Sequence, residues 1–87
     1  MSVIYCHINM FQMEQTVILK ANDDTDYKIL GRAPIEHIDH LIATLCDEYG
    51  VKEVRLGGVK QYTVKMKERI ETEFLARYKR KINVELV

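Results

Sequence analysis

The segment VKEVRLGG at residues 51–58 is the clearest indication of the fold class. It alternates Val54 and Leu56 with charged residues, is too short for a helix, and ends in two glycines. This pattern is typical of a β-strand with one buried face, and the glycines predict a turn of the chain. We therefore predict a strand over residues 51–56, a turn at Gly57 and Gly58, and a helix directly after it.

Two segments of the chain have apolar residues at the three- and four-residue spacing of one helix face. The first starts at Pro34, whose missing N–H suits a first helical turn, and stops at Gly50, which is free to take positive φ. Its apolar positions are Ile35, Ile38, Leu41, Ile42, Leu45 and Tyr49. The second helix follows the glycines, with Val59, Tyr62, Met66, Ile70, Phe74, Leu75 and Tyr78 on its apolar face.

Strand patterns lie on either side of these helices. Residues 3–10 alternate apolar and mixed positions, residues 15–21 are dense in β-branched side chains, and residues 27–31 form a short third strand whose Lys28 and nearby Arg32 suit a sheet edge. The Asn- and Asp-rich residues 22–26 predict the turn between the second and third strands. Residues 82–86 form the last strand. The order β-β-β-α-β-α-β predicts an α/β (α+β) fold with a five-stranded mixed sheet, because helical crossovers imply parallel strands and hairpins imply an antiparallel flank.

Size and composition indicate one ordinary globular domain over residues 1–87, with 47% hydrophobic and 30% charged residues. No apolar run approaches the ~18 residues of a membrane span, and the N-terminus lacks a signal-peptide pattern, so we expect a cytoplasmic protein without membrane contact. Cys6 and Cys46 are too few for a secreted disulfide framework and are interpreted as buried thiols.

The element order resembles the ribonuclease H-like fold, shared by RNase H, Holliday-junction resolvases, retroviral-type integrases and actin-like ATPases. The resemblance implies catalytic carboxylates on the first strand, the first helix and the end of the fourth strand, where they hold two divalent metal ions. Here the first strand offers Cys6, His7 and Asn9, and the fourth ends in Gly57 and Gly58. We therefore expect that the protein has no nuclease activity, is not an enzyme and binds no cofactor.

The strand-Gly-Gly-helix corner also looks like the turn by which actin-like ATPases and sugar kinases approach a nucleotide. Those enzymes place the nucleotide between two domains, whereas this sequence predicts one. We interpret Gly57 and Gly58 as a tight turn. In size and overall composition the chain loosely resembles small proteins encoded by phages and prophages of Gram-positive bacteria.

Two further clusters contain residue types that can bind metal ions. His37 and His40 have a spacing that could share a metal ion, with His7 or Cys46 as a third ligand, but a solvated helix face explains the pair more simply. The acids of residues 23–26 lack the ligand register, the central Gly and the bidentate Glu of a calcium loop. We interpret them as a hairpin turn.

Charge is divided between the two halves of the chain, although its total is zero. Residues 1–50 hold eight acids and three Lys or Arg, for a net charge of −5, while residues 51–87 hold five acids and ten Lys or Arg, for a net charge of +5. Such asymmetry can mark a partner surface or head-to-tail self-association.

Two candidate surfaces follow. The connection between the first two strands contains Met10, Phe11 and Met13, which either contact another chain or tuck into the domain's own core. The predicted second helix and the segment after it carry candidate phosphate contacts at Lys60, Lys67, Arg77, Lys79, Arg80 and Lys81. Glutamates interrupt this basic set. Our first hypothesis is a non-enzymatic interaction protein that binds a protein partner or itself; the alternative is an inactive nucleic-acid binder.

Overall fold

Residues 2–21 and 26–87 are described by the computed structural model. They form five strands and two helices, in the order β1 (Ser2–Ile8), β2 (Gln15–Ala21), β3 (Tyr27–Ala33), α1 (Ile35–Tyr49), β4 (Glu53–Gly58), α2 (Lys60–Tyr78) and β5 (Asn83–Leu86). The predicted turn over residues 22–26 lies outside the described residues except for Asp26.

The strands form one sheet in the order β3-β2-β1-β4-β5. Strand β1 pairs antiparallel with β2 and parallel with β4, while β2–β3 is antiparallel and β4–β5 is parallel. The predicted five-stranded mixed sheet with two helices is therefore confirmed. Strand β3 lies at one edge, where its charged residues were expected.

Both helices pack on the same face of this sheet. Helix α1 contacts β1, β2 and β3, helix α2 contacts β4 and β5, and the two helices contact each other. One continuous hydrophobic core fills the space between, with Ile4, Cys6, Ile38, Ile70 and Phe74 all fully buried within it. The opposite face of the sheet has no helix over it among the described residues.

The two helices begin and end close to their predicted limits. Pro34 is the N-cap residue of α1, and Gly50 closes it with φ 64°. Helix α2 begins at Lys60 after an extended Val59 and ends at Tyr78. The C-cap residue Lys79 adopts φ 59° and donates its backbone N–H to the carbonyl of Leu75. Tyr49, predicted on the apolar face of α1, is 40% exposed because it lies in the last turn.

The prediction that Gly57 and Gly58 turn the chain is wrong for Gly57. Both glycines belong to β4 and pair in register with His7 and Ile8 of β1. The chain leaves the extended conformation only at Gly58, whose φ is 100°. Parallel pairing with β1 extends the strand through the glycines, beyond its predicted end at Leu56.

Candidate protein-binding surface

The connection between β1 and β2, here called the 9–14 loop, is held in place by one buried side chain. Gln15 is 1% exposed. Its Oε1 accepts the backbone N–H of Asn9 at 2.7 Å, and its Nε2 donates to the carbonyls of Asn9 at 2.9 Å and Gln12 at 3.3 Å. Asn9 Oδ1 in turn accepts the backbone N–H of Phe11 at 2.9 Å. The loop thus has a defined shape rather than a loose one.

The apolar side chains of this loop point away from the core. Phe11 is 99% exposed, Met13 is 92% exposed and Met10 is 54% exposed. Of the two interpretations given from the sequence, tucking into the domain's own core does not describe this structure. Exposed large apolar side chains grouped on a fixed loop are typical of a contact surface.

A groove lies beside the loop on the face of the sheet that the helices leave uncovered. We call it the open-face groove; its volume is about 380 Å³. Its apolar lining comes from three adjacent strands, because the register places Ile18 beside both Tyr5 and Ile29. Tyr27 and Ile29 are 62% and 47% exposed, while Tyr5 and Ile18 are half-buried.

Polar groups line the groove at the end nearest the loop. Asn9 and Gln12 belong to both the loop and the groove lining, so the two form one continuous surface. Arg32 is the permanently charged cation among the described lining residues, and its Nε donates to Thr16 Oγ1 at 3.3 Å. No carboxylate is among the described residues that line the groove. This end of the groove therefore favours a negatively charged group.

Gly57 makes room for side chains on the same face. A Cβ at Gly57 would lie 2.7 Å from the Tyr5 hydroxyl and 3.1 Å from His7 Nδ1, so no side chain fits without movement. The Tyr5 hydroxyl and His7 Nδ1 are themselves 3.5 Å apart. A Cβ at Gly58 would lie 2.2 Å from the carbonyl oxygen of Ile8. Both glycines thus have packing roles, and the space beside them is filled by this chain's own atoms.

The other half of the open face is ionic rather than apolar. Arg55 of β4 lies next to Tyr5 in the register and forms ion pairs with Glu53 at 3.4 Å and Glu85 at 3.6 Å. Exposed pairs of this kind contribute little to stability but keep the surface hydrated. The apolar part of the face is therefore confined to β1, β2 and β3.

The candidate phosphate contacts are largely engaged within the chain. Arg77 pairs with Glu73 at 2.9 Å, Arg80 pairs with Asp47 of α1 at 2.5 Å, and Lys67 lies 4.0 Å from Glu71. Lys79 Nζ donates to the carbonyl of Ala76 at 3.0 Å. Lys60 and Lys81 are exposed and make no ion pair with another described residue. Because neighbouring carboxylates neutralise three of the six, this surface is a poor fit for a phosphate backbone.

The His37–His40 metal site suggested by the sequence is not assembled, and the acids of residues 23–26 lie outside the described residues except for Asp26. Within residues 2–21 and 26–87, no three His, Cys, Asp or Glu side chains are grouped as metal ligands. His40 instead contacts Glu73 at 2.9 Å between Nδ1 and Oε2. Cys6 and Cys46 are fully buried, and burial raises the pKa of each thiol to about 12. Neither is activated for nucleophilic chemistry.

Comparisons with known proteins place the chain in no family. No protein-family model matches the sequence, and no curated protein matches it. Among solved structures, the PPX-GPPA enzyme of Aquifex aeolicus is similar at 15% identity and a TM-score of 0.41. The similarity covers 99% of this chain and 36% of that one, so the chain spans about a third of the enzyme's length.

Sequence reasoning missed the groove and the residue that fixes the loop. Ile18 and Ile29 occupy the face opposite Val17 and Leu30, and strict alternation along each strand could have assigned them to a second, exposed apolar face. Gln15 gave no comparable signal, because a glutamine at the start of a strand is usually exposed.

In the described parts of the chain, no helix is both long and apolar enough to span a bilayer.

Proposed function

We propose that this protein is a non-enzymatic accessory module that binds another protein chain through the 9–14 loop and the open-face groove. The observation that carries the proposal is the 99% exposure of Phe11 on a loop held by the buried Gln15. Covering an exposed aromatic side chain with a partner is favourable because it removes apolar surface from water. Little conformational entropy is lost on binding, because the loop is already ordered.

The surface around Phe11 has the composition of a binding site. Apolar side chains of the loop and groove make up much of it, and Asn9, Gln12, Thr16 and Arg32 supply polar groups where the loop meets the groove. Interfaces between proteins usually combine apolar contact area with hydrogen-bonding groups of this kind. A nuclease-type function lacks this support, because the first strand carries Cys6 and His7 where the ribonuclease H-like resemblance implies carboxylates.

The proposed architecture belongs to the same argument. We infer a ribonuclease H-like arrangement reduced to its sheet and two helices, and the mixed five-stranded sheet with parallel β1, β4 and β5 supports this assignment. This arrangement leaves the face opposite the helices available to a partner.

Site-specific photo-crosslinking in the cells that encode the protein tests the proposal. A photoreactive phenylalanine analogue at position 11 is expected to give discrete covalent adducts with one protein species. The matched control places it at position 64, since Val64 is 54% exposed on α2 and lies outside the proposed surface. Adduct yield at position 11 no higher than at position 64 would rule out the proposed function, whatever the partner.

A further inference from the structure

We infer that the partner seated on this surface is a second copy of the chain, with the 9–14 loop of each copy lying in the open-face groove of the other. This inference rests on the proposed function and names the partner that the proposed function leaves open. It starts from the fact that one chain carries both an exposed apolar projection, Phe11, and an apolar groove next to it.

Shape and position favour a closed pair over an open chain of copies. The loop and Arg32 lie at the same end of the groove, because Thr16, two residues beyond Glu14, is the register partner of Arg32. A two-fold axis beside that end brings each loop to the groove of the other copy. Both contacts are then made at once, which is the self-complementary geometry of a two-fold dimer.

Charge complementarity gives the second argument for self-association. Glu14 is the charged residue of the 9–14 loop, and it follows the apolar Met13 directly. Among the described residues Glu14 forms no ion pair, and Arg32 is hydrogen-bonded to the Thr16 hydroxyl rather than to a carboxylate. In the dimer, Glu14 of one copy reaches Arg32 of the other, twice by symmetry. The chain's net charge of zero adds no overall repulsion between copies.

The available surface suits a reversible dimer. Each partner in a specific complex buries roughly 800 Å², and an aromatic side chain contributes about 150–250 Å² of that. Phe11 therefore supplies about a fifth to a third of the required area. The remainder comes from Met10, Met13, Tyr27 and Ile29, which are all exposed in one copy. We expect a dissociation constant on the order of micromolar, at the weak end of the range for interfaces of this area.

Charge reversal provides a test that only self-association can satisfy. In Glu14→Arg, two arginines face each other at both contacts of a dimer, and in Arg32→Glu two glutamates do. Each variant alone is expected to dimerise at least about tenfold more weakly than the wild type in sedimentation velocity. An equimolar mixture of the two variants is expected to regain wild-type dimerisation, because both contacts between unlike variants again join opposite charges.

Controls keep the result specific. Glu48→Arg makes the same substitution at an exposed position of α1 and is expected to leave dimerisation unchanged. Phe11→Ser is expected to weaken the dimer at least about thirtyfold, as for a central aromatic contact. Circular dichroism of each variant verifies that the fold is retained.

Two outcomes would overturn the inference: a wild type that sediments at its monomer mass of 10.2 kDa up to about millimolar concentration, or a mixture no more dimeric than its separate variants. If position 11 still crosslinks to a different protein, the proposed function stands, and only the inference that the partner is a second copy of the chain is rejected. If position 11 gives no specific adduct, both are rejected.

Discussion

Gly57 and Tyr5 are coupled through a single close approach across neighbouring strands. The Tyr5 hydroxyl occupies the position that a side chain at residue 57 would need, with 2.7 Å between the hydroxyl oxygen and an added Cβ. The glycine that suggested a ligand-binding turn in the sequence thus accommodates an aromatic side chain of the same chain. At Gly58 the approach is from backbone, and φ of 100° independently excludes most other residues.

We predict that Gly57→Ala lowers the free energy of unfolding by about 0.5–1.5 kcal/mol, because the new methyl group displaces the Tyr5 hydroxyl and moves that half-buried side chain away from its preferred rotamer. In a Tyr5→Phe background the hydroxyl is gone, and the same substitution is expected to cost less. Urea unfolding of the four proteins of this cycle gives the coupling, for which we expect at least about 0.5 kcal/mol. Strictly additive effects would contradict the proposed contact.

At the scale of an element, the 9–14 loop is a surface segment that is held in place by a buried side chain beneath it. Strand β2 begins with Gln15, whose amide lies under the loop and satisfies backbone groups of Asn9 and Gln12. Buried polar groups with their hydrogen bonds made are costly to disturb, since each would otherwise be left without a partner. The exposure of Phe11 is in this way coupled to a polar contact in the interior.

We predict that Gln15→Ala destabilises the protein by about 1–3 kcal/mol, because backbone groups of the loop lose their buried partner. Gln12→Ala is the matched control, since the Gln12 side chain is exposed and only its backbone carbonyl takes part. Its expected effect is within about 0.5 kcal/mol. Equal losses of unfolding free energy in the two variants, measured with urea, would show that Gln15 has no special role.

At the scale of the whole molecule, two helices cover one face of a five-stranded sheet and leave the other face uncovered. The covered face contains the continuous core, including Cys6 of β1 and Cys46 of α1. The uncovered face is divided into an apolar half on the antiparallel strands and an ion-paired half around Arg55. Antiparallel strands tolerate solvent on one side, so the apolar half is stable in the monomer while still available to a partner.

We predict that stability falls as the pH rises from 9 to 12, because the pKa of both thiols is raised to about 12 by burial in the folded protein. Between the usual thiol pKa of 9.0 and this value, the unfolded chain releases these protons and the folded chain keeps them. Each thiol then lowers the unfolding free energy by up to about 1.4 kcal/mol per pH unit.

Urea unfolding at several pH values, compared between the wild type and a Cys6→Ala/Cys46→Ala variant, isolates this contribution. The double variant is less stable at neutral pH because it loses buried volume, but its stability is expected to decline less steeply above pH 9. Parallel decline in the two proteins would assign the alkaline loss to other groups. In the native wild type we also expect both thiols to react slowly with a thiol reagent at pH 8.

Local pattern was sufficient for the helices and strands. The spacing of Ile38, Ile42 and Leu45 identified the buried face of α1, and the alternation of Ile4, Cys6 and Ile8 identified that of β1, because each periodicity matches the geometry of its element. Both ends of β4 were placed two residues early, since the strand runs over Glu53–Gly58. Two adjacent glycines indicate a turn when the local sequence is considered alone, but pairing with His7 and Ile8 keeps both in the strand.

The five strands, the two helices and the mixed sheet could be predicted from the amino-acid sequence, since these follow from the period of apolar residues and from the rules for connecting strands. The sequence also singled out Met10, Phe11 and Met13 as unusual. The three-dimensional structure was needed to establish that these side chains face water, that Ile18 lies between Tyr5 and Ile29, and that Arg80 is paired with Asp47. Each of these depends on residues far apart in the chain meeting across strands or helices, and no local periodicity records such a meeting.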